Sequence, residues 1–179
     1  MMKFEKLSLP GIVLIKPEIW KDSRGSFMES YHENKYSIGG ISDKFVQDNY
    51  VISHQNTLRG MHYQIKFPQA KLVRCFRGEI FDVVVDIRTN SPTFGEWVGV
   101  ELSESNNYQL YIPEGFAHGY YVLSEISKVY YKCSNIYYPE YEKGIIWNDS
   151  NIKIKWPANN PQLSDKDNSW PILSNINNN

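Results

Sequence analysis

The strongest constraint on this chain is the rhythm of its middle. Short runs rich in valine, isoleucine, tyrosine and phenylalanine follow one another, each closed by Gly, Pro, Asn, Asp or Ser. Such runs are too short for helices, and they fit antiparallel strands that each bury one face, as in a sandwich or barrel. The pattern predicts strands over Phe27–Tyr31, Lys44–Asn49, Lys71–Phe76, Glu79–Ile87, Glu96–Leu102, Gln109–Ile112, Tyr120–Leu123 and Lys128–Cys133. Lys71-Leu72-Val73-Arg74-Cys75 mixes polar and apolar residues and is read as an alternating strand, whereas Val83-Val84-Val85 is apolar throughout and calls for cover on both faces. Two packed antiparallel sheets satisfy both patterns, with a hairpin expected at Arg77-Gly78.

Size and charge narrow the possibilities. A chain of 179 residues suits one domain, 1–179, with a real core. The polar, Asn-rich end from Ser174 to Asn179 is expected to fray, because it cannot offset its ordering entropy. Nineteen Lys and Arg against 20 Asp and Glu leave no broad basic field for nucleic acid or an anionic membrane. An anionic ligand would therefore need local positive groups. Cys75 and Cys133 lack CxxC spacing and read as core thiols. No apolar run nears the roughly 20 residues that span a bilayer, and the N-terminus lacks the layout of a signal peptide. A cytoplasmic location is the expectation, with no membrane or nucleic-acid partner.

Chemistry concentrates in two stretches. Phe45-Val46-Gln47-Asp48-Asn49 and Leu58-Arg59-Gly60-Met61-His62-Tyr63-Gln64 are dense in hydrogen-bonding groups for strands of a β protein. Buried without partners, each such group costs about 1 to 3 kcal/mol. A polar ligand would satisfy them; a wet sheet face would do so equally for Gln47 or Asn49. Histidine suits proton transfer near neutrality, and only His32, His54, His62 and His118 are present. His62 follows Arg59-Gly60, and His118 ends the loop Pro113-Glu114-Gly115-Phe116-Ala117.

Taken together, Arg24-Gly25-x-Phe27-x-Glu29, Leu58-Arg59-Gly60-x-His62-Tyr63-Gln64, Lys71-Leu72-Val73, Ser91-Pro92-Thr93-Phe94-Gly95, Pro113-x-Gly115-Phe116-Ala117-His118-Gly119, Tyr131-Lys132 and Gly144-x-x-Trp147-Asn148-Asp149 resemble the dTDP-4-dehydrorhamnose 3,5-epimerase family in order and spacing. The resemblance runs from about Pro10 to about Asp167. It implies an all-β fold, a double-stranded β-helix or cupin jelly roll built as an antiparallel two-sheet sandwich, with short C-terminal helices. It also implies a homodimer whose N-terminal strands cross to the partner, and a dTDP-sugar substrate, dTDP-4-dehydro-6-deoxy-D-glucose, converted to dTDP-4-dehydro-L-rhamnose.

The implied chemistry starts from a C4 ketone that acidifies the hydrogens on C3 and C5. Removing one gives an enolate, and returning a proton from the other face inverts the carbon. By resemblance His62 is the base, Asp167 orients it, Tyr131 is the opposing acid and Lys71 stabilises the C4 oxyanion. Arg24, from the partner chain, and Arg59 would meet the nucleotide and phosphate or sugar oxygens. Glu29 and Gln47 would recognise base and ribose, Tyr138 would stack on the base, and Asn49, His118 and Lys166 would complete the substrate contacts. Asp165, Asp82 and Asp86 remain rivals of Asp167, and Lys71 could be a solvated edge lysine.

Many cupins hold a metal through His-x-His and a later histidine. Here the stretch reads His62-Tyr63-Gln64, so neither a metal nor another cofactor is expected. Three positions depart from the usual pattern: Val51 replaces a serine, Asn56-Thr57 a Gly-Val pair and Lys66 a proline. Rival functions are inversion at a single carbon, action on another nucleotide sugar, and a non-catalytic sugar-binding or metal-dependent oxygenase cupin.

Overall fold

The computed structural model describes residues 1–157 and 160–174. The chain runs β1 (Lys3–Lys6), β2 (Val13–Lys16), β3 (Ile19–Asp22), β4 (Gly25–Met28), α1 (Glu33–Ile38), β5 (Gln47–His54), β6 (Leu58–Gln64), β7 (Lys71–Arg77), β8 (Glu79–Asp86), β9 (Trp97–Ser103), β10 (Gln109–Ile112), β11 (Phe116–Val122), β12 (Ile126–Cys133) and β13 (Glu142–Gly144). One sheet has the order β1-β2-β10-β7-β12-β5 and the other β13-β6-β11-β8-β9. Every pairing between these strands is antiparallel. The result is the two-sheet sandwich of a jelly roll, with β3 and β4 forming a separate hairpin.

The core lies between the sheets. Val73, Cys75, Ile80, Val84, Leu102, Leu110, Val122 and Val129 are all fully buried there. Val83, Val84 and Val85 are each 0% exposed, so the unbroken apolar run does mark a strand covered on both faces. Each such valine contributes at most about 1.5 to 3 kcal/mol relative to an exposed position.

Three expectations about local structure need correction. Arg77-Gly78 is not a hairpin: β7 pairs with β10 and β12, while β8 pairs with β9 and β11, so the turn carries the chain from one sheet to the other. Gly78 has φ +74°, and a Cβ there would lie 2.1 Å from the Ile126 carbonyl oxygen. Such a glycine permits a tight reversal, and where the next strand pairs depends on distant packing. The alternation along β7 does not expose one face either, because Leu72 packs with Val13, Ile15, Tyr36, Ile41 and Tyr111 beneath the N-terminal segment and α1. Arg74 is buried with it, its Nη2 donating to Asn107 Oδ1 at 2.7 Å.

The helices also fall elsewhere than expected. Among the described residues the α-helix is α1, near the N-terminus, and the later part of the chain contributes a 3-10 turn at Pro139–Tyr141. Beyond β13 the described chain is mainly turns and irregular segments, consistent with Pro157, Pro161 and Pro171 and many Asn, Asp and Ser residues. Of the tail expected to fray, Asn175–Asn179 lie outside the described residues.

Candidate active site

The strands best filled with polar groups meet at one end of the sandwich. Along β5 the inward positions are Gln47, Asn49 and Val51, while Asp48, Tyr50 and Ile52 face out. Period-2 alternation therefore turns Gln47 and Asn49 towards the interior. On β12, Tyr131 stands opposite Asn49 in the ladder, and on β7 Lys71 stands opposite Cys133. From the other sheet, β6 and β11 pair His62 with His118, and β13 sets Glu142 opposite Gln64. A Cβ on Gly60 would lie 2.5 Å from Gly119 Cα, so glycine is needed where β6 and β11 approach each other. The register of β11 slips between His118 and Tyr120, a bulge of the kind that re-aims side chains beside active sites.

Two cavities open here, of about 320 and 400 Å³, and both are lined by His62, Lys71 and Tyr131. Gln47, Asn49, Tyr137 and Glu142 extend the first. Arg59, His118, Lys166 and Asp167 extend the second. His62 comes from one sheet and Tyr131 from the other, so an object between them is met from two sides.

His62 Nε2 donates to Asp167 Oδ1 at 2.6 Å. The Asp167 side chain is 5% exposed, that of His62 25%. Burial works to raise the Asp167 carboxyl, but the His62 bond and charge and the Gly60 amide hold it below the usual range. With its proton on Nε2, the imidazole keeps Nδ1 free as a base. The rival carboxylates are occupied elsewhere or exposed. Asp82 accepts from His118 Nε2 at 2.9 Å, and Asp86 from Arg88, Ser91 and Thr93. Asp165 is exposed.

Lys71 is half-buried and makes no ion pair among the described residues. Burial lowers its ammonium pKa, and Cys133, Asp82 and Glu142 pull it part of the way back. A cation held in such surroundings attracts developing negative charge more strongly than one in water. Burial pushes the Tyr131 phenol well up, so it stays protonated at neutral pH and can donate. His118 is 6% exposed, and burial lowers its pKa against the pull of Asp82. It is therefore a neutral hydrogen-bonding group rather than a cation. Arg59 Nε donates to Ser53 Oγ at 3.0 Å, and the rest of its guanidinium has no hydrogen-bond partner among the described residues.

Three expected site residues are not brought to these cavities within the chain. Arg24 sits on the β3–β4 hairpin with its side chain 88% exposed, bonded to Asp22. Glu29 pairs with Lys35. Tyr138 lines neither cavity; its ring packs 4.9 Å from Phe67, and its neighbour Tyr137 takes the lining position. Glu142 was missed by sequence reasoning. Its Oε1 lies 3.8 Å from His62 Nδ1, and in the sequence it is one of several charged residues in Pro139-Glu140-Tyr141-Glu142-Lys143, with nothing to single it out.

Several motifs prove to be scaffolding. Gln64 donates to Phe67 O and Ile136 O and accepts from the Tyr138 amide, so it clamps loops. Ser91 and Thr93 serve Asp86, and Asp149 caps the amides of Asn151 and Leu173. Asn56 has φ +65°, which suits an asparagine in place of glycine. Among the described residues no three His, Cys, Asp or Glu side chains converge as a metal-binding group. No helix among them is long and apolar enough to cross a membrane.

Known proteins resemble the chain along nearly its whole length. A profile of the family described as dTDP-4-dehydrorhamnose 3,5-epimerase matches residues 6–175. The enzyme of that name from Methanothermobacter thermautotrophicus is 49% identical over 174 residues, covering 96% of this chain and 94% of that protein. A dTDP-6-deoxy-D-glucose-3,5-epimerase from Legionella pneumophila, solved with dTDP-4-keto-L-rhamnose, is 46% identical with a TM-score of 0.95, covering 98% of this chain and 95% of that one. A 3'-monoepimerase from Streptomyces bikiniensis, solved with dTDP-quinovose, is 34% identical with a TM-score of 0.90, covering 96% and 88%. A double mutant of that monoepimerase, with a histidine changed to Asn and a tyrosine to Phe, has also been solved.

Proposed function

This chain belongs to the dTDP-4-dehydrorhamnose 3,5-epimerase family, and on that premise we propose that it inverts C3 and C5 of dTDP-4-dehydro-6-deoxy-D-glucose to give dTDP-4-dehydro-L-rhamnose. The observation that carries the reading is the placing of a carboxylate-held imidazole and a half-buried phenol, from opposite sheets, in the walls of the same cavities.

In each inversion His62 Nδ1 takes the proton on the carbon beside the ketone. The C–H electron pair moves into the ring, and the C4 oxygen gains negative charge, which the Lys71 ammonium stabilises. Asp167 stabilises the imidazolium and fixes which nitrogen acts. The enolate electrons then form a new C–H bond with the Tyr131 phenol proton on the opposite face. Gln47 and Asn49 hold the nucleoside end, while Arg59, His118 and Lys166 hold the diphosphate and sugar oxygens.

Arg24 and Glu29 complete the site of a second copy, in a homodimer with exchanged N-terminal strands. The exposed outer face of the larger sheet supports this assembly: Tyr50 is 55% and Phe76 44% exposed, and Phe76 packs 5.5 Å from Tyr130. Contiguous apolar rings in water favour a partner. Residues 1–179 act as one cupin-type domain that needs no metal or cofactor. Its free, buried Cys75 and Cys133 suit the cytoplasm.

The test is to supply purified protein with dTDP-4-dehydro-6-deoxy-D-glucose and couple product formation to a 4-keto reductase. Turnover is expected, and no product above background would refute the reading. Inversion at one carbon is the competing outcome, since a monoepimerase also possesses a histidine and a tyrosine that were replaced together. Identity near one half to enzymes named as 3,5-epimerases favours two inversions.

A further inference from the structure

A double inversion makes the resetting of base and acid a step within a single turnover. After the first carbon is inverted, His62 carries the proton it removed and Tyr131 lacks the one it gave. With His62 Nε2 committed to Asp167, the proton to be shed sits on Nδ1. The carboxylate on that side is Glu142, whose Oε1 is 3.8 Å from His62 Nδ1. Its other oxygen, Oε2, is tied down by two donors, Lys166 Nζ at 2.6 Å and Tyr137 OH at 2.8 Å. One carboxylate oxygen is thus anchored and the other left facing the base. Tyr137 is 41% exposed and the Lys166 side chain 49%, so this network leads from the 12% exposed Glu142 carboxylate to solvent.

We propose that Glu142 is a proton relay that discharges His62 between the two inversions. This rests on the epimerase reading above. In the relay step the Nδ1–H bond breaks and an Oε1–H bond forms; that bond then breaks in turn, giving its proton to water. Tyr131 takes a proton back from water, so the enzyme returns to its starting state with no net gain. Approach by under about 1 Å, or one bridging water, brings the pair within transfer range. Burial works to raise the Glu142 carboxyl, but Lys166, Tyr137 and the His62 charge outweigh it and hold it below the usual range. The group therefore starts ionised and gives up a captured proton readily. Glu142 acts through His62, which makes it a positioning and relay residue rather than one that attacks the sugar.

The experiment follows the reaction by proton NMR in heavy water with wild type, Glu142→Gln and Glu142→Ala. Wild type is expected to deliver sugar deuterated at both C3 and C5. Glu142→Gln is expected to accumulate singly deuterated sugar, the second inversion slowed by about tenfold or more relative to the first. Added formate should restore the second step in Glu142→Ala, because a small carboxylate can occupy the vacated space. A merely structural role for Glu142 would depress both inversions together and ignore formate, and that result overturns the relay while leaving the epimerase reading intact. Failure of wild type itself to exchange either position would refute the epimerase reading and, with no second inversion to serve, the relay with it.

Discussion

Asp167→Asn isolates what the buried carboxylate does for the base. The contact to His62 Nε2 is 2.6 Å and the Asp167 side chain only 5% exposed, so solvent screens it little. At that separation and an effective dielectric of about 20, an imidazolium and a carboxylate attract by roughly 6 kcal/mol. With the carbon-bound proton about half transferred, roughly half of that attraction lowers the barrier. The loss is then about 3 kcal/mol, or about 10² in rate. An asparagine that turns its NH₂ towards Nε2 would also force the proton onto Nδ1 and block the base, extending the range to about 10⁴. The expected result is therefore a kcat lower by about 10² to 10⁴ in the reductase-coupled assay. Affinity for dTDP, measured by calorimetry, should hold within about twofold. A kcat within tenfold of wild type would refute the role given to Asp167.

Other outcomes follow from the same geometry. Lys71→Met removes the cation beside the cavity and should lower kcat by about 10² to 10³ in the coupled assay, with the fold intact by circular dichroism. Asp86→Asn strips a fully buried carboxylate from Arg88, Ser91 and Thr93 and should cost about 3 kcal/mol in denaturant unfolding at pH 7. Burial works to raise the Asp86 carboxyl, but those partners hold it well below its unfolded value, so its contribution is present above about pH 4 and fades in more acid solution. The gap between Asp86→Asn and wild type should accordingly narrow at pH 3. On the proposed strand-exchanged dimer, a Tyr50→Glu, Phe76→Glu double variant should sediment as a monomer and lose activity, because Arg24 and Glu29 would no longer reach a partner's cavity.

How far the sequence disclosed this molecule depended on whether a signal was local. Strands β7, β8, β10 and β12 were legible because β-branched and aromatic residues crowd them and turn residues bound them. The short β1, β2 and β3 went unread, and α1 has only six residues around the single buried Tyr36. Their conformation is set by packing on the larger sheet, which no short window contains. Gly78 showed a turn but not its destination, because sheet partners are long-range facts. In the site, His62 drew attention through its chemistry and Lys71 and Tyr131 through motif alone; their convergence needs three-dimensional register. Glu142 was invisible, since its meaning comes from facing His62 Nδ1 across a ladder of β6 and β13.

The central claim is that one imidazole strips and one phenol restores protons on opposite faces of a ketosugar. Running wild type to completion in heavy water and reading the sugar by proton NMR tests it most directly. Deuterium at both C3 and C5, abolished at both by His62→Ala, is the expected result. Label at C3 alone, or label at both carbons that survives His62→Ala, would contradict it.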